Sequence, residues 1–123
     1  MEEKEVLEGN KLIAEFMGVA PVYDDEYEMY QVIQVIEDVE DEQHFFTPKE
    51  MLFHSDWNWL MEVVDKLDYL GAKVTIGRMK GDIEYIDPLN AENKVEVGIA
   101  CGVKITAVYA AIVQFINWYN SNK

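Results

Sequence analysis

The apolar residues change their spacing twice along the second half of the chain. Up to Leu70 they recur at helical intervals (Trp57, Leu60, Met61, Val64, Leu67, Leu70). From Lys73 to Gly98 they alternate with polar residues, and from Lys104 the helical intervals return (Ile105, Val108, Tyr109, Ile112, Phe115, Ile116, Tyr119). A period of 3.6 buries one stripe of a helix and a period of 2 buries one face of a strand, so the pattern selects between them. It predicts a central helix over residues 56–70, N-capped by Ser55 and stopped by Gly71. Strands are predicted at 73–76, 82–86 and 94–98, with turns at 77–81 and 87–90, followed by a last helix over about 104–120.

Upstream the pattern is less decisive. Leu12, Ile13, Phe16 and Met17 repeat at helical spacing before Gly18, which predicts a short helix over 7–17. Met29, Val32, Ile33, Ile36 and Val39 also fit a helix, yet Val, Ile and Tyr favour strands. Gln34, Glu37 and Asp38 share the opposite arc, which tips the reading towards helix. No internal repeat and no Ser/Pro/Gly linker is visible. The expected fold is therefore one α+β domain over 1–123. It has about three helices on a small antiparallel three-stranded sheet, in the order α-(α or β)-α-β-β-β-α, with an acidic variable segment at about 19–53.

The net charge is -14. Residues 1–56 hold sixteen acids against Lys4, Lys11 and Lys49, a balance of −13, and residues 57–123 are near neutral at −1. Such a chain repels phosphate, so neither direct nucleic-acid binding nor binding to an anionic membrane is expected. A basic protein surface is an attractive partner, with steered association. The plainer reading is a solvated acidic face that keeps a small protein soluble. One cysteine, Cys101, excludes an internal disulfide and a multi-cysteine zinc site. No apolar run is long enough to span a bilayer, and the first residues lack the features of a secretory signal. A cytoplasmic location is expected.

Three blocks carry a resemblance: Leu12-Ile13-Ala14-Glu15-Phe16-Met17-Gly18, the stretch from His54 to Leu67, and the stretch from Val108 to Asn120. Together they resemble small phage- and prophage-encoded proteins of the α/β/α sandwich type, which open on Leu-Ile-Ala-Glu-x-Met-Gly. The resemblance covers residues 10–18 and 54–120 and leaves out the acidic segment. It implies a layered fold and the cytoplasm of a bacterial host. It also implies a protein that binds and blocks a host factor, and it carries no catalytic residues.

Recognised catalytic and ligand spacings are absent. His44 and His54, with Glu50 or Asp56, match no metal motif. Cys101 precedes the last helix but lacks an evident base, and Gly98-x-x-x-Gly102 lacks the ending of a phosphate loop. No cofactor, metal or catalytic residue is assigned. The expected function is a non-enzymatic inhibitor of a basic, nucleic-acid-handling host protein such as a nuclease or CRISPR effector. The candidate contact residues are Asp24, Asp25, Glu26, Glu28, Glu37, Asp38, Glu40, Asp41 and Glu42, with Tyr27, Tyr30 and the off-face Trp59. A homo-oligomeric phage component using Trp59 and Trp118 is the alternative, and a small metal-dependent enzyme the second.

Overall fold

The computed structural model describes the backbone of residues 2–19, 21–24, 27–34, 42–46 and 51–122, and the side chains of 2–19 and 51–122. The fold is α+β, and its contacts divide into two compact units, Met1–Leu52 and Phe53–Lys123.

The first unit begins with α1 (Glu3–Phe16), which buries Gly9, Asn10, Ile13 and Ala14. Glu3 and Glu5 lie in its first turn, where the exposed amide ends favour negative charge. Gly18, at φ +82, closes it as the Gly-stop spacing predicts. Its N–H donates to Glu15 O (3.0 Å), and that of Val19 to Ala14 O (3.0 Å). Asn10 is fully buried and donates from Nδ2 to Met51 O at 2.9 Å, so a polar side chain inside the helix anchors the far end of the unit.

Three strands follow: β1 (Pro21–Asp24), β2 (Tyr27–Gln34) and β3 (Glu42–Phe46), an antiparallel meander in the order β1-β2-β3. The lean towards helix over residues 29–39 is therefore corrected: residues 29–34 are strand. The β-branched run at Val32 and Ile33 outweighs the helical spacing because β1 and β3 satisfy the β2 backbone from both sides. Of the same stretch, residues 35–39 lie outside the described residues.

The second unit carries the predicted period switch. Helix α2 (Trp57–Leu70) starts one residue later than expected. Its N-cap is Asp56 rather than Ser55: the Asp56 carboxylate accepts from Asn58 N–H at 2.8 Å. Gly71, at φ 95, ends it with the same hydrogen-bond pattern as Gly18, Gly71 N–H to Asp68 O and Ala72 N–H to Leu67 O.

Strands β4 (Lys73–Gly77), β5 (Lys80–Asp87) and β6 (Asn90–Ala100) form the expected antiparallel sheet, in the order β4-β5-β6. The strands are longer and the turns tighter than the sequence suggests. Gly77 pairs with Lys80, which leaves Arg78 and Met79 as the turn, with Met79 in the left-handed region at φ 60. Helix α3 (Lys104–Ser121) lies across β5 and β6, and α2 packs on β4. Gly81, Ile83, Tyr85 and Val97 face inward, while Lys73, Lys80, Glu84, Lys94, Glu96 and Gly98 stand on the exposed face. Tyr85 meets Phe115 edge-on at 5.6 Å, and Trp118 and Tyr119 flank the same ring at 6.0 and 6.1 Å.

The element order exposes a repetition that the residues hide. A helix and an antiparallel three-stranded meander occur twice in succession, and a third helix closes the chain. Both leading helices have 14 residues and both middle strands 8. The absence of a sequence repeat thus does not carry over to the topology.

Candidate partner-binding surface

Of the acids proposed from sequence, Asp24, Glu28 and Glu42 lie on the β1-β2-β3 meander. Backbone register sets Asp24 opposite Tyr27 and Tyr23 opposite Glu28, places Tyr30 between Pro21 and Phe46, and sets Glu42 opposite Gln34. Positions spread along the chain thus share one small sheet. Asp25, Glu26, Glu37, Asp38, Glu40 and Asp41 lie outside the described residues.

Further acids lie in the same unit that the sequence reading did not single out. Glu2, Glu3, Glu5, Glu8 and Glu15, on or beside α1, are all exposed. For Glu8 and Glu15 amphipathic spacing was the available signal, since both fall on the arc opposite the buried positions Gly9, Asn10, Ile13 and Ala14.

Helix α2 corrects the placement of the tryptophans. Trp59, expected on an open arc, is only 7% exposed and meets Phe53 edge-on at 5.1 Å. Trp57 and Met61, expected inside, are 37% and 39% exposed. The buried stripe is Trp59, Leu60, Val63, Val64 and Leu67, rotated from the predicted one towards Val63. Trp59 therefore offers little surface to a partner. The outer arc of α2 instead presents Trp57, Met61 and, at its far end, Tyr69, with Glu62, Asp65 and Asp68 among them. Burial pushes the Glu62 carboxyl up, and the charge of Asp65 one turn away adds to it.

Trp118, also expected off the apolar face, is half-buried beside Tyr85 and Phe115. His54 packs its ring edge-on to Tyr109 at 6.2 Å, and burial lowers its pKa. His44 lies on β3 opposite Val32. Cys101 donates from Sγ to Val103 O at 3.1 Å.

Among the described residues, no three His, Cys, Asp or Glu side chains come close enough to hold a metal ion. Every buried side-chain nitrogen and oxygen there has a hydrogen-bond partner. No described helix is long and apolar enough to cross a membrane. What the described surface offers is charge interleaved with aromatic and methionine side chains, which suits protein contact. Comparison with protein-family models, with curated proteins and with solved structures finds no match.

Proposed function

We propose that this chain is a non-enzymatic binding protein of phage or prophage type that engages a basic, nucleic-acid-handling host protein and blocks it. The observation that carries the reading is the charge asymmetry: a balance of −13 over residues 1–56 against −1 over the rest. Closely spaced carboxylates oppose one another in the free monomer, and a basic partner relieves that repulsion while gaining a faster encounter. Tyr27 and Tyr30, on the strand that carries Glu28, would add contact area at low entropic cost. Trp57 and Met61 replace Trp59 as the apolar anchors of the reading, because they are the exposed ones.

The test compares the natural chain with a variant carrying Glu37→Gln, Asp38→Asn, Glu40→Gln, Asp41→Asn and Glu42→Gln. Both are immobilised and exposed to a bacterial host lysate, and captured proteins are identified by mass spectrometry. The expected result is a basic nucleic-acid-binding protein held by the natural chain, released by salt, and lost with the variant at an unchanged melting temperature. Its on-rate should slow in the variant and lose salt dependence. Equal capture by both chains would leave the acids as a solvated face and refute the proposal.

A further inference from the structure

Strand β6 ends the order β4-β5-β6, and among the described residues no strand pairs with its outer edge. It is 11 residues long, against 8 for β5, and contains no proline. An edge of this length is a template for another strand unless something blunts it.

The direction of its free amides follows from one hydrogen bond. Cys101 N–H donates to Met79 O at 2.9 Å, in line with the pairing of Lys80 and Ala100. Hydrogen-bonded pairs alternate along an antiparallel ladder. Val95, Val97 and Ile99 therefore turn their backbone groups towards β5, whereas Lys94, Glu96, Gly98 and Ala100 turn theirs to the open edge.

We propose that a second copy of this chain docks antiparallel along β6, on a two-fold axis through Val95, joining the two sheets into one. The regular ladder of β6 runs from Lys94 to Ala100, its register with β5 shifts before Lys94, and Glu92 N–H already donates to Asn90 Oδ1. The pairing therefore centres on Lys94, Val95 and Glu96, where outward amides meet outward carbonyls. It sets Lys94 opposite the second copy's Glu96, and Glu96 opposite the second copy's Lys94. An axis through Lys94 would set lysine on lysine, one through Glu96 glutamate on glutamate, and one through Val97 would leave both charges opposite Gly98 and Ala100. Within residues 94–100 the axis through Val95 sets opposite charges together.

A second observation points the same way. On the exposed face Glu96 stands directly opposite Glu84 of β5, while Lys73 of β4 stands on the other side of Glu84. Like charges in that position are unfavourable, and Glu96 has no cation opposite it within the sheet. The second copy's Lys94 supplies one, completing a row of Lys73, Glu84, Glu96 and Lys94. Residues 57–123, which carry this edge, are themselves near neutral.

The test is sedimentation of the full chain over a concentration series, with thermal melts alongside. The natural chain should reach twice its 14.3 kDa mass as concentration rises. Glu96→Lys and Lys94→Glu should each raise the dissociation constant roughly tenfold or more, since each reversal creates two like-charge contacts across the axis. The double variant Lys94→Glu/Glu96→Lys should recover association. Glu96→Lys should weaken the dimer without lowering the melting temperature of dilute protein, because the introduced cation faces Glu84; loss of folding is thereby told apart from loss of pairing. A natural chain that stays monomeric throughout overturns the proposal. So does a dimer that single reversals leave unmoved, or one that the double variant fails to restore.

Discussion

Replacing Gly81 with alanine probes how closely α3 approaches the sheet. Gly81 lies on β5 between Ile76 and Ile99 and faces the helix. A Cβ there would meet Val108 Cα at 2.8 Å, Val108 N at 3.1 Å and Val108 Cγ2 at 3.2 Å. Comfortable carbon–carbon contact begins near 3.5 Å, so the pair must separate by about 0.7 Å. The nearest atoms belong to the helix backbone, and a rotamer change cannot relieve the clash. Either α3 lifts from β5 or the strand bends.

A gap of that size forfeits a quarter to a half of each dispersion contact along the seam, including those of Tyr85 with Phe115. Overpacking of this kind costs about 1–3 kcal/mol, and loss of glycine entropy in the unfolded chain returns about 0.4–1 kcal/mol. Gly81→Ala should therefore destabilise by about 1–2 kcal/mol. With a urea slope of about 1–3 kcal/mol/M, the midpoint should fall by roughly half to one molar at unchanged slope. Gly102→Ala is the control: a Cβ there meets nothing within 4 Å, so its effect should stay within about 0.5 kcal/mol. Equal midpoints for the two variants would refute the close approach.

Asn10→Ala removes the donor to Met51 O and should lower the urea midpoint by an amount equivalent to about 1–3 kcal/mol. An unchanged midpoint would mean that water replaces the bond without cost. Burial raises the Tyr109 phenol above its usual 10, so the folded chain holds that proton more tightly than the unfolded one. The associated stability is complete below pH 10 and falls as pH rises above it. Melting temperatures followed across the alkaline range should decline less steeply for Tyr109→Phe, with a residual slope from Tyr85, whose pKa is also raised, chiefly by burial. Parallel declines for the two proteins would assign the alkaline loss to other groups.

Much of the candidate surface was legible as composition. The crowding of acids before residue 57 needs only counting, and the exposure of Glu8 and Glu15 follows from their place on the arc of α1 opposite its buried positions. Which tryptophan faces outward was not legible. Trp57 and Trp59 are separated by about 200° around a helix, and each borders the apolar stripe. Phe53, outside the helix, takes Trp59 as its edge-on neighbour, and the two are buried together while Trp57 is left partly open.

Local physics, acting within a few residues, determined the parts that the sequence announces by itself. Alternation between Lys73 and Gly98 specifies strands, and Gly18 and Gly71 end their helices because a left-handed residue closes the last carbonyls without a Cβ clash. The α+β class follows from that switch of period. Tertiary structure decided whatever depends on a partner far along the chain. Residues 29–34 became strand because β1 and β3 lie on either side of β2, and periodicity cannot encode a neighbour's hydrogen bonds. Gly81 is small for the sake of Val108, and Glu84 meets Glu96 only because the register of β5 and β6 brings them level. Such pairings are set by geometry accumulated over whole elements, where a shift of one residue sends every side chain to the opposite face.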